Sequence, residues 1–259
     1  MRATSRLADV SINTVTKLLI EVGMAASDYQ DRAFKKLPCK RVQVDEIWAF
    51  VGAKKKNASE ERKGEGWGDV WTWTAICADT KLIPSWYVGS RDAEAATIFM
   101  QDLKGRLASR IQLTSDGHKV YINAVEAAYP DWAVDYAMLI KHYGVVPDTS
   151  PQRRYSPAQC VGVSSDVISG EPDKKHVSTS YVERSNLTLR MGCRRFTRLT
   201  NAFSKKIANH THAVSLHMMF YNFGRIHKTL RVTPAMQAGI TDHVWSLEEI
   251  ATLGENSGK

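Results

Sequence analysis

Two aspartates interrupt runs of apolar residues that are typical of β-strands. Asp45 lies within the run 42–48, and Asp116 directly follows the run 111–115. A carboxylate in an apolar strand costs free energy unless a cation or hydrogen-bond donors compensate its charge. Glu183, the third acid in an unusual setting, opens a basic segment with helical periodicity. If folding brings the three together, their oxygens provide the hard ligands that Mg²⁺ prefers.

Each acid also has an ordinary structural explanation. Asp45 fits a strand-end cap or an ion-pair partner, Asp116 fits a turn residue because glycine follows it, and Glu183 fits an exposed charge near a helix N-terminus. Taken singly, these explanations are favoured. Taken jointly, with the order of strands and helices and the basic helix, a metal site is favoured. The competing acids, predicted to be a turn residue and a helix N-cap, are Asp79 and Asp92.

The order of the predicted elements defines an α/β fold. Strands are predicted over 41–52, 70–78, 82–88, 111–115 and 134–140, and helices over 92–108 and 120–128. This β-β-β-α-β-α-β order predicts one mixed sheet with helices packed against it. Further helices are predicted over 180–199, 203–223 and 245–253. The segment 144–178 is rich in proline and glycine and shows no period, so we expect a loop insertion there.

The first residues predict a short helix-turn-helix. A helix over 2–8 breaks near Asp9. Ser11 then caps a second helix over 12–22, and Gly23 ends it. In such a motif the second helix enters the major groove of DNA, although an ordinary helical hairpin fits the pattern equally well. The candidate DNA contacts on this helix are Asn13, Thr14 and Lys17.

These patterns divide the chain into four parts. The first is a partial helix-turn-helix segment over 1–27, and a polar linker over 28–40 follows it. The α/β domain that contains the three acids covers 41–233, including the loop insertion. A C-terminal tail over 234–259 includes a short acidic helix.

The overall charge favours a polyanionic partner. The 259 residues carry a formal net charge of +8, and the sequence pI is near 9.3. Cations are concentrated after Glu183, which favours a nucleic-acid surface over evenly spread solubilising charge. The candidate DNA contacts in this region are Arg190, Arg194, Arg195, Arg198, Lys205 and Lys206.

Cysteine spacing, apolar content and missing motifs argue against several other classes of protein. The four cysteines form no CxxC pair, so a structural zinc finger is not supported and reduced thiols in the cytosol are expected. The sequence has neither a secretory start nor a run of about 20 apolar residues, so no membrane association is expected. Phosphate-binding loops, the HExxH zinc motif and the serine-hydrolase elbow are also absent from it.

Several sequence blocks resemble insertion-sequence transposases of the IS1 type. The acidic blocks are Val44-Asp45-Glu46-Ile47-Trp48, Thr114-Ser115-Asp116-Gly117-His118 and Tyr181-Val182-Glu183-Arg184-Ser185-Asn186. Later blocks similar to that family are Phe196-Thr197-Arg198-Leu199, Tyr221-Asn222-Phe223 and Thr233-Pro234-Ala235. The resemblance covers nearly the whole chain, and the combination of blocks is far more specific than any single block.

The resemblance implies an RNase H-like fold with a catalytic DDE triad at Asp45, Asp116 and Glu183. It implies two Mg²⁺ ions, or Mn²⁺ in their place, held roughly 3.5–4 Å apart by these carboxylates. The implied reaction is cleavage at insertion-sequence ends to free a 3′-OH, which then attacks target DNA. Asn186 and Arg190 match polar and basic positions of the family, and the resemblance makes them DNA contacts near the metals.

The resemblance also sets expectations about partners and setting. Double-stranded DNA is expected as insertion-sequence ends and as target, with a homo-oligomer formed on it. Relatives usually carry more sequence before the helix-turn-helix, so a separate end-recognition protein is an expected alternative. The expected location is the prokaryotic cytoplasm, in association with the nucleoid. Two other functions stay open: a transposon-derived DNA-binding regulator without catalysis, and an RNase H-like nuclease that cuts without joining.

Overall fold

A mixed six-stranded sheet forms the centre of the computed structural model, which describes residues 1–144, 160–197 and 200–256. Its strands are β1 (Arg41–Val51), β2 (Gly68–Cys77), β3 (Ser85–Gly89), β4 (Gln112–Asp116), β5 (Asp135–Tyr143) and β6 (Cys160–Ser169). Their spatial order is β3-β2-β1-β4-β5-β6. Strands β1, β4 and β5 run parallel, and the other three pair antiparallel with their neighbours. The predicted α/β fold with a mixed sheet is therefore confirmed.

Helices flank the sheet. They are α1 (Arg2–Leu7), α2 (Ile12–Ala33), α3 (Glu60–Gly64), α4 (Ala93–Arg106), α5 (Val120–Ala128), α6 (Ser180–Gly192), α7 (Ile207–Met219), α8 (Pro234–Gln237) and α9 (Leu247–Asn256). Apart from the short α3 between β1 and β2, the order from β1 to β5 is the predicted β-β-β-α-β-α-β. Nowhere in the described part of the chain does a helix have the length and apolarity needed to cross a membrane.

Strand β1 is buried on both faces because helices pack on either side of it. Successive side chains of a strand point to opposite faces. Val42 and Val44 belong to a core that includes residues of α4 and α5. Ile47 belongs to a second cluster that includes residues of α6 and α7. The apolar run is typical of such a central strand, and it sets Asp45 and Glu46 in surroundings of low polarity.

Two acids have the local roles that the sequence predicted for them. Asp92 is the N-cap of α4, and its carboxylate accepts a hydrogen bond from the amide of Ala95 at 3.0 Å. This capping bond lowers the pKa of Asp92. Asp79 lies in the turn between β2 and β3 and pairs with Arg41. The helix cap and the ion pair with Arg41 therefore account for the two carboxylates.

Helix α2 continues to Ala33, so the prediction that Gly23 ends it is wrong. Ser11 is the N-cap as predicted, and its hydroxyl accepts from the amide of Asn13. Gly23 is buried within the helix, where α2 packs against α7. A Cβ at Gly23 would lie 2.7 Å from the Cβ of His212. The glycine thus permits close helix packing and does not act as a terminator.

The predicted linker over 28–40 contains structured and buried residues. Residues 28–33 complete α2. Beyond them, Phe34, Leu37 and Cys39 belong to the core. The polar composition that predicted a linker reflects the outer face of an amphipathic helix and the turn after it. Whether the segment before residue 28 is a domain of its own stays a prediction.

The predicted helix over 180–199 is broken after Gly192, where α6 ends. Cys193 has an extended backbone, and Arg194–Phe196 forms a 3₁₀ turn. Phe196 is 1% exposed and packs in the second cluster beneath α6 and α7. Burial of this ring outweighs the helical periodicity of the sequence and redirects the chain.

The predicted helix over 203–223 begins later than expected. Its regular part, α7, starts at Ile207, and Lys206 is an extended residue in the N-cap position. Lys205 and Lys206 therefore precede the helix and do not lie in its first turns. At the other end, Phe220–Gly224 forms a π-helical turn.

A sixth strand occupies part of the predicted loop insertion over 144–178. Strand β6 pairs antiparallel with β5, from Tyr136 opposite Ser169 to Tyr143 opposite Cys160. Most β6 side chains are exposed because the strand lies at the sheet edge, so the sequence shows no buried periodic pattern. Residues 145–159 of the predicted loop lie outside the described residues.

Candidate functional site

Asp45 and Asp116 lie side by side on adjacent parallel strands. Strands β1 and β4 are in register at Gln43 and Thr114, and two residues further along the same face carries Asp45 and Asp116. One oxygen each from Asp45, Asp116 and Glu46 lies within 4.8 Å of the other two. We call these three residues the carboxylate cluster. It contains two of the acids that the sequence singled out, together with Glu46.

Glu183 lies beside the carboxylate cluster and, among the described residues, is not part of it. It is in the first turn of α6, as predicted. Its Oε1 accepts hydrogen bonds from the Lys141 ammonium on β5 and from the Thr179 hydroxyl. The negative charge of Glu183 also helps to raise the pKa of Asp45, and Asn186, one turn further along α6, hydrogen-bonds Asp45. Lys141 thus compensates the charge of Glu183.

Asp45 is partly buried and held by two hydrogen bonds. Its Oδ1 accepts from the amide of Glu46 at 2.9 Å, and its Oδ2 accepts from Nδ2 of Asn186 at 2.8 Å. Burial, followed by the negative charges of Glu46 and Asp116, raises the pKa of Asp45 to about 7. A cation bound at the cluster would reverse this shift, because an opposite charge favours the ionised carboxylate.

Asn186 positions Asp45 and does not face solvent. It is 8% exposed, and its Nδ2 donates to Asp45. Its Oδ1 accepts from the hydroxyl of Thr74, which lies opposite Asp45 on β2, at 3.2 Å. The expected DNA contact by Asn186 does not fit this geometry, because both ends of its amide are engaged inside the protein. Its role here is to fix one oxygen of Asp45.

Glu46 is the cluster member that the sequence reasoning missed. Its side chain is 1% exposed. Oε1 accepts from Nε of Arg91 at 2.7 Å, and Oε2 accepts from the hydroxyl of Tyr121 at 3.0 Å. The Arg91 guanidinium also stacks on Trp71, 4.5 Å from the ring centre. Because Arg91 already compensates its charge, Glu46 is better suited to support the site than to bind an ion. The available signal was its place beside Asp45 in a buried strand.

Asp116 ends β4 and is fixed by the backbone of the following turn. Its Oδ1 accepts from the amide of His118 at 3.0 Å, as expected for an aspartate followed by glycine. This turn role is compatible with a metal role, because a carboxylate has several acceptor positions. The His118 ring lies 6.3 Å from that of Trp73, and its Nε2 is buried without a hydrogen-bond partner in the described part of the chain.

The predicted DNA contacts fall into exposed and engaged side chains. Those exposed on α2 are Asn13, Thr14 and Lys17. Those exposed after α6 are Arg194, Lys205 and Lys206. Arg190 donates to the carbonyl of Phe196 at 3.2 Å, and Arg195 donates to the hydroxyl of Ser204. Arg198 lies outside the described residues.

The carboxylate cluster has the chemistry of a divalent-ion site. Its donors are oxygens carried by strands of a buried sheet, which suits Mg²⁺ or Mn²⁺. Arg91 pairs with Glu46, and Lys141 pairs with Glu183. Among the described residues, neither Asp45 nor Asp116 forms an ion pair with a cationic side chain. Their charge is thus the part of the site that a bound cation would compensate, and the residues present fit such an ion.

Comparison with known proteins gives little further guidance. No protein-family model matches the chain, and no curated protein matches it significantly. One solved structure to which the chain is similar is a cryo-EM synaptic complex of piggyBac transposase with hairpin DNA. The sequences are 12% identical, the match covers 85% of this chain and 51% of that chain, and the TM-score is 0.36. This chain therefore spans about half of that transposase chain. A likeness this weak does not decide fold or function, which rest on the geometry described above.

Proposed function

We propose that the protein is a DNA transposase of the DDE type, which cleaves DNA at insertion-sequence ends and joins the freed 3′-OH to target DNA. One observation carries the proposal: Asp45 and Asp116 lie level on adjacent parallel strands with oxygens within 4.8 Å. Two such carboxylates oppose folding by mutual repulsion and burial. A divalent ion that acts on phosphodiesters explains why the chain keeps them there.

The strand order supports the RNase H-like part of the proposal. Parallel strands β1, β4 and β5 lie together, and antiparallel β2 and β3 extend the sheet beyond β1. This is the β-β-β-α-β-α-β arrangement expected for that fold, with β6 added at the edge. The net charge of +8 supports a DNA substrate. Membership of the IS1 type rests on the sequence blocks alone.

Asp45 and Asp116 are the residues that would hold a Mg²⁺ ion. When bound, the ion would supply activation of the attacking oxygen and neutralisation of the leaving oxygen. Asn186 and the amide of Glu46 each fix one oxygen of Asp45, so its carboxylate keeps one orientation on the strand. Because the pKa of Asp45 is about 7, this ligand is fully ionised without a cation only above neutral pH.

Glu183 is placed to hold a second ion once it separates from Lys141. Glu183 and Asn186 are about one helical turn apart on α6, so the helix face that reaches Asp45 also carries Glu183. The Lys141 and Glu183 side chains are 30% and 42% exposed. Ion pairs that are exposed to solvent contribute at most about 1 kcal/mol to stability. Glu183 is therefore the residue that would hold a second ion, with Lys141 released to solvent.

The proposal includes double-stranded DNA partners. Insertion-sequence ends and target DNA would be bound by a homo-oligomer, with the exposed cations after α6 against the phosphates. End recognition is assigned either to the exposed residues of α2 or to a separate protein. The proposed location, the prokaryotic cytoplasm in association with the nucleoid, follows from the same substrate.

A Mg²⁺-dependent cleavage and joining assay tests the function. The substrate is a labelled duplex that carries the DNA flanking the gene, with a supercoiled plasmid as target. Asp45→Asn and Asp116→Asn should each reduce cleavage and joining by about a thousandfold, because the ion contributes several kcal/mol to the barrier reduction. Asp166→Asn, an exposed aspartate on β6, is the matched control and should retain activity.

The products separate the proposed function from its alternatives. Joined products that require Asp45 support a transposase. Cleaved but unjoined products identify a nuclease, and salt-sensitive DNA binding without nicking in Mg²⁺ or Mn²⁺ identifies a regulator. Joining by Asp45→Asn at the wild-type rate would refute the assignment of the metal site.

A further inference from the structure

A second charged site lies in a cleft of about 1180 Å³. Its walls come from the N-terminal helices, the end of β1 with the residues after it, and the described residues between α6 and α7. The cations that line it are Arg2, Lys54, Arg194, Arg195 and Lys205. None of the described lining residues is acidic. The cleft therefore attracts an anion of considerable size.

Aromatic rings accompany these cations. The rings of Phe50 and Phe203, which both line the cleft, have centres 5.1 Å apart. Trp48 lies 5.7 Å from Phe50. The Lys54 ammonium is 5.6 Å from the centre of the Trp48 ring and 6.0 Å from that of Phe50. Trp48 and Phe203 are partly exposed, so their ring faces are accessible to a ligand.

The aromatic rings of β1 lie between the cleft and Glu46 of the carboxylate cluster. Glu46, Trp48 and Phe50 alternate along one face of β1. At about 3.3 Å per strand residue, Phe50 lies about 13 Å along the strand from Glu46. Trp71 stands opposite Trp48 on β2, with the Arg91 guanidinium stacked on it. A row of aromatic and cationic groups thus runs along this face of β1 from Glu46 to Phe50 at the cleft, whereas Asp45 lies on the other face of the strand.

The wall of the cleft is built by buried contacts. Ser204 is 1% exposed, and its carbonyl accepts from the amide of Gly52 at 2.7 Å. Its hydroxyl accepts from Arg195 and lies 3.2 Å from Nδ1 of His210. These bonds fix Phe203 and Lys205 on either side of Ser204 against the end of β1. The backbone that carries Phe203 and Lys205 is therefore held in place before a ligand binds.

We propose that this cleft binds an unpaired stretch of the DNA strand that is processed at the carboxylate cluster. Cations along a groove match phosphates, and accessible aromatic rings stack on bases whose faces are free. Base-paired DNA offers phosphates but no free base faces, so the rings favour unpaired nucleotides. The inference rests on the proposed function and adds to it the form of DNA that lies next to the cleavage site.

Fluorescence anisotropy with a labelled 12-nucleotide oligothymidylate and a duplex of equal length tests this proposal. All titrations are made in EDTA, so that binding does not depend on a metal ion. The wild type should prefer the single strand. Phe203→Ala should weaken single-strand binding about tenfold and leave duplex binding unchanged, as expected for the loss of one stacked base. Phe203→Leu keeps most of the side-chain volume but lacks the aromatic ring. It should therefore weaken single-strand binding as Phe203→Ala does.

Lysine variants test the electrostatic half of the proposal. Lys54→Gln should weaken single-strand binding and reduce the dependence of log K on log salt by about 0.7, the value for one phosphate contact. Lys174→Gln is the matched control, because Lys174 is exposed near Gln112, at the opposite end of the sheet. It should bind the oligonucleotide as the wild type does.

Failure of this inference can be told apart from failure of the proposed function. Asp45→Asn should lose cleavage but bind the oligonucleotide in EDTA with wild-type affinity. Equal affinity of the wild type for duplex and single strand would overturn the inference, even where cleavage depends on Asp45. Unchanged single-strand affinity in folded Phe203→Leu and Lys54→Gln would do the same. Single-strand preference with the predicted losses supports the cleft whatever the cleavage assay shows.

Discussion

Folding disfavours the ionised form of Asp45, although the ionised form is the one that would bind a metal ion. Its pKa is raised to about 7 by burial and then by the charges of Glu46 and Asp116. In an unfolded chain, aspartate titrates near about 3.9. Between these pH values the folded protein binds a proton at Asp45 that the unfolded chain does not bind. The stability contributed by this proton is fully present below about pH 4 and is lost as the pH rises through about 7.

Asp45→Asn should remove this part of the pH dependence. In EDTA, the unfolding free energy of the wild type should fall between pH 5 and pH 8 by roughly 2 kcal/mol more than that of the variant. Urea denaturation at both pH values measures the difference. Asp166→Asn should follow the wild type. The same fall in Asp45→Asn as in the wild type would contradict a raised pKa at this residue.

Single residues were predictable from the sequence where they violate a local pattern. Asp45 and Asp116 stood out because each is an acid in or at the end of an apolar run. Lys141 gave no such signal, because it follows the predicted end of a strand and its partner Glu183 is 42 residues away. Such a pair depends on how the sheet and α6 are arranged, which no local pattern specifies.

Among the elements, α2 and α7 show how a contact can override a local signal. Glycine costs about 1 kcal/mol relative to alanine in a helix interior, so Gly23 predicted a helix end. The structure has a continuous helix there, because Gly23 lies against His212 of α7. A Cβ at Gly23 would also lie 2.8 Å from the carbonyl oxygen of His212. The energetic cost of glycine is thus offset by close packing of two helices.

Gly23→Ala should therefore destabilise the protein despite the better helix propensity of alanine. We expect a loss of about 1–3 kcal/mol in the unfolding free energy, because the new methyl group overpacks the contact between α2 and α7. Gly105→Ala is the matched control. Gly105 also lies in a helix, α4, but a Cβ there would meet no atom within 4 Å.

Gly105→Ala should leave the unfolding free energy unchanged or raise it by up to about 1 kcal/mol. Chemical denaturation of the two variants beside the wild type gives both values. A stabilised Gly23→Ala protein would show that α2 and α7 are not in close contact.

Elements with local patterns were predicted well, and those defined by tertiary partners were not. Helix α5 has its predicted bounds, because its apolar residues repeat with helical period. Strand β6 was missed, because it is an exposed edge strand that depends on pairing with β5. The break after α6 was missed for a similar reason, since burial of Phe196 in the core redirects the chain there.

At the scale of the whole molecule, α2 and α9, which lie far apart in the sequence, contribute to one core. Tyr29 of α2 lies 5.5 Å from Phe223 and 4.9 Å from Trp245. Phe34 stacks on Phe223 at 5.9 Å, and Ile250 of α9 joins the same core. Helix α1, by contrast, has no buried residue. These contacts tie α2 to the tail and to the sheet.

Removal of residues 1–27 should therefore destabilise the entire protein. A chain that begins at residue 28 lacks most of α2 and should lose several kcal/mol of unfolding free energy, a large part of what a domain has. A chain that begins at residue 11 keeps the N-cap Ser11 and should stay within about 1 kcal/mol of the wild type. Circular dichroism during urea denaturation compares the two. A wild-type midpoint for the shorter chain would show that residues 1–27 form a separate segment.

The central claim is that folding gathers Asp45 and Asp116 into a site for a divalent ion. Anomalous diffraction from crystals of the full chain grown with Mn²⁺ tests it most directly. We expect a manganese peak bonded to one carboxylate oxygen of each aspartate, at about 2.1 Å as for hard divalent ions. The absence of a peak between them at saturating Mn²⁺, or manganese bound only elsewhere on the chain, would contradict the account.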